Sequence, residues 1–424
     1  MKKKALSLVL ALSMVSALVA GCGSTSESAT EEAATEEATT EEAATEEAAA
    51  EEGAETTTDA SAIKVGVIYV GDENEGYTAA HMDGIDDMAE ALGLSEDQII
   101  EKTTIPEDES CYDAAVDLAE QGCNLIFGTS FGHESYLIQA ATEYPDVQFF
   151  HATGYQAATS GLSNMHNYFT KIYEARYVSG VVAGLKLNEM IANGDITEDE
   201  ALVGYVGAYP YAEVVSGYTS FFLGVRSICP SATMEVQYTN SWADMSGENE
   251  VATKLIEDGC VLISQHADTT GAPSACEAAG VPCVGYNVDM TTVAPNCALT
   301  SAANNWGAYY TLAVENYLNG VENPVDWAEG YADGTVYITP LNDAAIAEGT
   351  ADKVAEVEAG LADGSIHVFD TSTFTVNGST LEELIESGDD YAAYADATSD
   401  GYYHESELVS APSFDLRIDG ITEK

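Results

Sequence analysis

The chain is predicted to be an α/β protein built of two successive lobes, each an open parallel sheet flanked by helices. Three observations predict this. Short runs rich in Val, Ile, Phe and Tyr alternate with segments of helical length, the rhythm of βαβ units around a parallel sheet. The same rhythm restarts near the middle of the chain. The 362 residues that follow an acidic N-terminal stretch also exceed what one hydrophobic core usually supports.

In order, residues 64–70 (KVGVIYV) predict a strand, 77–92 a helix, 98–103 a strand and 110–121 a helix. Residues 124–128 predict a strand, 133–143 a helix and 147–151 a strand, and a helix over 173–191 closes this half. The second half opens with a strand over 202–206, then a helix over 213–227, a strand over 233–238 and a helix over 248–258. Strands over 261–264, 282–287 and 298–301 follow, with a helix over 272–279 between the first two.

The N-terminal 62 residues are of a different kind. Lys2, Lys3 and Lys4 precede an apolar run over residues 5–20, and Leu18-Val19-Ala20-Gly21 precedes Cys22. A basic start, an apolar middle shorter than a spanning helix and small residues before a cysteine predict an export signal over 1–22, with cleavage and acylation at the Cys22 thiol. Lipid would then hold the protein on the extracellular face of the cell membrane. Residues 23–62 repeat TEEAA-like units with no aromatic or branched apolar side chain, too little apolar surface to offset chain entropy. They are expected to form a disordered acidic linker that like charges extend.

Residues 63–424 keep 10 Lys and Arg against 59 Asp and Glu, a net charge of −49. Nucleic acid and anionic lipid both need basic patches, so neither is expected as a partner, and the membrane contact is expected through the lipid alone. Besides Cys22, the cysteines are Cys111, Cys123, Cys229, Cys260, Cys276, Cys283 and Cys297. None are spaced C-x-x-C, which indicates neither a metal ribbon nor a redox motif, although one or two disulfides stay open.

Ligands of open parallel sheets bind at the carboxyl ends of the strands. Those positions here read GDENEGYT, TSFGH (with Ser130 and Phe131) and ATGY in the first half. In the second they read GAYP (with Tyr209), NSWAD (with Trp242), QHAD (with Asp268) and NVDM (with Asn287 and Asp289). Aromatic faces with a few acceptors suit a flat, hydrogen-bonding ligand.

Several of these runs resemble the basic membrane protein family, lipoprotein substrate-binding proteins of ABC transporters. They are GYVGAYPYAEV, TNSWAD, QHADTT, VGYNVDM and LTSAANNWGAYY, with GYTAAHMDG and IYEARYVSGVVAG in the first half; together they span roughly residues 63–370. The resemblance implies the type I periplasmic-binding-protein fold, two Rossmann-like lobes joined by a hinge that the chain crosses three times. It further implies a purine base or nucleoside as ligand, and ABC permease and ATPase subunits as partners on other chains. The first lobe is then expected over 63–168 with part of 301–370, and the second over 169–300. Residues 371–424 form a C-terminal extension of unassigned role.

Carried over position by position, the resemblance implies that Tyr77 offers a stacking face, that Thr78 and His81 belong to the site and that Trp306 agrees with the base-binding branch. Asp268 and Asp289 match acids facing the cleft, Asp289 at the place of a ribose-binding acid. Nucleoside binders carry Lys where Asn304 stands here, so an incomplete ribose clamp and a free base are expected.

No catalytic residue, metal or cofactor is expected. The chain has no G-x-S-x-G elbow, H-E-x-x-H helix or Walker loop, and GDENEG lacks dinucleotide spacing. His133, His151 and His266 stand near strand ends, where each is more simply a packing or hydrogen-bonding histidine than a metal ligand. Two other uses of such a chain are a sensor that presents its ligand to a receptor, and an extracellular hydrolase of nucleosides or glycans, for which paired acids would serve.

Overall fold

The computed structural model describes residues 59–388 and 391–424, so the expected signal, Cys22 and most of the linker lie outside the described residues. The first half runs β1 (Val65–Ile68), α1 (Gly76–Leu92), β2 (Ile99–Lys102), α2 (Glu109–Glu120), β3 (Leu125–Gly128), α3 (Glu134–Glu143) and β4 (Gln148–Ala152). A short α4 (Ala157–Ser160) and β5 (Met165–Thr170) complete it. After α5 (Ile172–Asn193) come β6 (Leu202–Gly207), α6 (Ala212–Ile228), β7 (Thr233–Tyr238), α7 (Met245–Glu257), β8 (Leu262–Gln265), α8 (Gly271–Ala279), β9 (Cys283–Tyr286) and β10 (Ala298–Asn304). The remainder is α9 (Trp306–Leu318), β11 (Asp326–Glu329), β12 (Val336–Ile338), α10 (Thr350–Ala362), α11 (Leu381–Ser387), the small pair β13 (Thr398–Ser399) and β14 (Tyr402–Tyr403), and β15 (Ile421–Glu423).

Two sheets result. One has the order β11-β5-β4-β3-β1-β2 with all pairs parallel. The other has the order β12-β10-β9-β8-β6-β7-β15, antiparallel only where β12 meets β10. The central strands are buried on both faces, as VGVI in β1 and LIFG in β3 illustrate, because helices cover both sides of a parallel sheet. The chain passes between the sheets three times: from β5 through α5 to β6, from β10 through α9 to β11, and from β11 to β12.

Two small residues set the packing of α5 against α6. A Cβ on Gly180 would stand 2.0 Å from the Phe221 carbonyl oxygen, and one on Gly224 would stand 2.1 Å from that of Tyr177. Backbones this close leave no room for a methyl group, which explains the SGVVAG and FFLGV runs in the two helices.

Three features differ from the sequence reading. β5 was not expected, since MHNYFT mixes polar and apolar residues. All six are nevertheless buried, with the His166 ring nitrogens 2.9 Å from the Pro324 carbonyl and 2.9 Å from Gln148 Oε1. Of residues 301–370, α9 and β11 join the first sheet's unit, while β10 continues to Asn304 in the second sheet and β12 and α10 pack there too. The C-terminal extension also joins the second unit: Phe369, Phe374, Phe414 and Leu416 enter its core, and β15 pairs with β7. The seven cysteines from Cys111 to Cys297 are free and buried, small apolar side chains of the interior.

Candidate functional site

A narrow cleft lies between the carboxyl ends of the two sheets, with about 380 Å3 of space outside protein atoms once the open solvent at its mouth is included. From the first unit it is lined by Val70 after β1, Glu75 and Tyr77 at the start of α1, Thr129, Ser130 and Phe131 after β3, and Thr153 after β4. The second unit supplies Glu213 from α6, Trp242 after β7, His266 and Asp268 after β8, and Tyr286 at the end of β9. Parallel strands deliver their loops to one edge of each sheet, so one cleft gathers residues far apart in sequence.

Local chemistry fixes these side chains. Glu75 caps α1, its carboxylate accepting from the Thr78 amide at 3.1 Å and from the Thr78 hydroxyl. Tyr77 donates its hydroxyl to the Thr129 carbonyl at 2.7 Å, and its ring meets His81 edge-on at 4.4 Å between centroids. Thr153 holds a left-handed backbone at φ +64°, costly for a β-branched residue and of the kind that clusters at functional sites.

On the opposite side Arg176, 2% exposed, donates to Tyr205 Oη at 2.8 Å and to the Gln265 carbonyl at 3.1 Å, and its guanidinium lies 3.8 Å from the Tyr286 ring centroid. His266 Nε2 stands 3.5 Å from Glu213 Oε1. Buried polar atoms without a hydrogen-bond partner gather here: Arg176 Nε and Nη2, His266 Nδ1 and Tyr286 Oη. Such atoms carry a desolvation cost that a ligand can relieve.

Electrostatically the cleft holds acids whose affinity for protons is raised. Burial, followed by the neighbouring Glu75, Glu248 and Glu213, holds the Asp268 carboxyl well above the usual range. Burial likewise pushes Glu213 up to about 7 against the opposing pull of Arg176, and raises Glu75 against its hydrogen bonds to Thr78. Burial and Arg176 together keep His266 neutral. No Lys or Arg is among the lining residues.

Residues 62–363 match the family described as Bmp, ABC transporter substrate-binding protein PnrA-like. This chain belongs to the Bmp family. It is 32% identical to a purine-binding protein of Brucella abortus over 77% of this chain and 89% of that protein. It is 29% identical to a protein of Haloferax volcanii named as a candidate ABC transporter glucose-binding protein, over 75% of this chain and 76% of that one. Among solved structures it is similar in fold to an ABC transporter solute-binding protein of Conexibacter woesei, with a TM-score of 0.59 and 21% identity over 72% of this chain and 98% of that one. It is therefore a solute-binding protein of an ABC transporter, of a family of binding proteins and not of enzymes.

The residues singled out in the sequence divide into three groups in this Bmp-family protein. Tyr77, Ser130, Phe131, Trp242 and Asp268 line the cleft. A second layer lies behind it. There Thr78 supports Glu75, while His81 stacks on Trp306 at 4.2 Å and its Nδ1 lies 2.6 Å from Tyr310 Oη. Tyr209 stacks on Tyr211 at 5.0 Å with its edge toward Trp242, and Asn287, at φ +64°, donates to Asp268 Oδ1 at 2.8 Å. Asp289 stands apart from the cleft, accepting from the Thr291 amide at 2.9 Å and hydroxyl at 2.7 Å within its own turn. Asn304 likewise faces elsewhere, its Oδ1 accepting from Thr170.

Glu75, Glu213, His266, Tyr286 and Arg176 were not singled out as ligand residues. Each lies inside a run already quoted, at a strand end or in IYEARYVSGVVAG, but among 72 acids the side-chain type alone carries no signal. Among the described residues no group of three or more His, Cys, Asp or Glu is placed to hold a metal ion, and no helix is long and apolar enough to cross a membrane.

Proposed function

We propose that this protein captures a free purine base on the outer side of the cell membrane and delivers it to the permease and ATPase subunits of its transporter. The observation that carries this reading is the cleft's polarity: Glu75, Glu213 and Asp268 among the aromatic rings of Tyr77, Phe131, Trp242 and Tyr286, with no lysine or arginine on the wall. A flat, uncharged ring with N–H donors meets acceptors there and stacks on the aromatics, while a phosphate would meet three carboxyl groups on the wall itself. The relative named as purine-binding, 32% identical, supports the same ligand class. Closure of the two units about the three chain crossings is the proposed mechanism, each unit contributing contacts that only the closed state completes. The proposed boundaries are a first lobe over 63–170 with 306–329, and a second formed by the rest through 424. Acylation of Cys22 is the proposed anchor.

Calorimetry with adenine, guanine, hypoxanthine and their ribosides tests the ligand class, with glucose included because of the Haloferax relative. At least one base is expected to bind with a Kd of about 1 μM or below. A preference of roughly tenfold or more for the ribosides would overturn the free-base reading, and binding of glucose alone would overturn the purine reading. Replacement of Cys22 by Ala is expected to release the protein from membranes or leave its leader uncleaved; a membrane-bound, fully processed variant would contradict the anchor.

A further inference from the structure

Beside the cleft is a second, larger space of about 580 Å3 that shares Phe131, Thr153 and Glu213 with it as lining residues. Aromatic rings form one side. Phe131 stacks against Tyr211 at 5.7 Å and stands 6.5 Å from Tyr155. These three account for three of the eight exposed large hydrophobic side chains among the described residues, at 40%, 43% and 52% exposure. Such a concentration on one groove marks an interaction site, whereas apolar residues scattered singly do not.

The facing side is built by the C-terminal extension, from Val409, Ala411 and Pro412, which lie beyond the family match that ends at residue 363. That wall is held at both ends. Ser410 donates its amide to Asp326 on β11 at 2.5 Å. Glu405, 1% exposed, accepts from the amides of Ser413 at 3.0 Å and Phe414 at 2.9 Å. Tyr173 on α5 donates to the Glu405 carbonyl at 3.2 Å.

We infer that this groove is an outer subsite for an apolar ring attached to the group bound in the inner cleft, so that the ligand has two parts and the C-terminal extension selects the outer one. The inference rests on the inner cleft being the solute site. Because Phe131, Thr153 and Glu213 line both spaces, the two are adjacent, and a ligand of two parts would reach from one to the other past these side chains. The walls choose the chemistry: Phe131, Ala212, Val409, Ala411 and Pro412 offer a sugar's hydroxyls no partner, which leaves Thr153, Glu213, Ser413 and the Tyr155 and Tyr211 hydroxyls to pair them. An apolar ring instead buries its faces between aromatic and aliphatic walls.

The test uses the full chain and calorimetry with adenine, adenosine, N6-benzyladenine and 9-benzyladenine. At least one benzyl compound is expected to bind roughly tenfold or more tightly than adenine. That ratio is expected to collapse in both Val409→Arg and Tyr155→Ser, one on the C-terminal extension and one on the loop after β4, with circular dichroism confirming that each variant is folded. If adenine binds and neither benzyl compound gains, or if adenosine gains in their place, the inference is overturned. Should adenine itself fail to bind, fluorine NMR with 4-fluorobenzyl alcohol decides the subsite independently of the purine reading. Line broadening by the native protein that both variants abolish upholds it, and broadening absent or unchanged in the variants overturns it.

Discussion

The Gly76 amide donates to the Asp268 carbonyl at 2.9 Å, joining the start of α1 to the loop that follows β8 in the other sheet. A Cβ on Gly76 would stand 3.0 Å from that oxygen and 3.6 Å from Val288 Cγ2, so the two units meet here backbone to backbone. Gly76→Val is therefore expected to hold them apart. Ligand affinity should fall roughly tenfold or more, since contacts across the cleft are completed only on closure. Small-angle scattering with ligand should give a larger radius of gyration than native, and equal radii and affinities would show that this contact does not limit closure.

Tyr77 contributes a ring and a hydroxyl, and the two separate by substitution. Tyr77→Phe leaves the Thr129 carbonyl without its partner and should cost about 1 kcal/mol of stability, with ligand affinity within about twofold of native. Tyr77→Ala also removes the face, worth about 0.5–1.5 kcal/mol of stacking, and opens a cavity costing about 3–5 kcal/mol of stability. Denaturant unfolding and calorimetry on the two variants read the terms apart; a large affinity loss in Tyr77→Phe would assign the hydroxyl to the ligand.

Asp289 spends its carboxylate on its own turn. Asp289→Ala should lower stability by about 1 kcal/mol, as loss of a capping carboxylate does, while base affinity changes by less than about twofold. A selective loss of nucleoside binding would return it to the ligand site.

Three buried acids contribute stability that falls as pH rises from 5 to 8, against the opposite trend from buried histidines such as His266. Glu213 and Glu248 reach about 7 in the folded protein and Asp268 stands well above its usual range, each chiefly through burial. Their unfolded values lie near 4, so between these limits the folded state binds more protons and the unfolded state gains as pH increases. Arg176 opposes the shift of Glu213, and Glu107 adds to it. Glu213→Gln is expected to remove about 2–3 kcal/mol of this pH-dependent loss across the range. An unchanged profile would mean that Glu213 is ionised in the folded protein.

Much of the architecture was legible because parallel strands and their covering helices are local, nearly continuous apolar signals, as in VGVI of β1 and LIFG of β3. β5 escaped because its polar residues are buried with partners distant in sequence. Asn167 accepts from the Ala157 amide at 2.7 Å and donates to Glu134 at 3.0 Å, a pairing that no periodicity displays. Glu75 and Glu213 were hidden for a related reason: an acid near a strand end looks the same whether water or a closed cleft surrounds it.

By itself the sequence determined the strands and helices from β1 to β10 apart from β5 and the short α4, the restart that makes two units, and the strand-end runs from which a cleft is assembled. These follow from hydrophobic periodicity and turn chemistry, which act over a few residues. Tertiary structure decided which side chains of those runs turn into the cleft. Asp268 faces it and Asp289 does not, because a turn's own hydrogen bonds consume one carboxylate and leave the other. It also decided that the C-terminal extension returns past the cleft to pair β15 with β7, a contact between segments nearly two hundred residues apart whose free energy comes from burying Phe414 and Leu416 in a core built mostly of earlier residues.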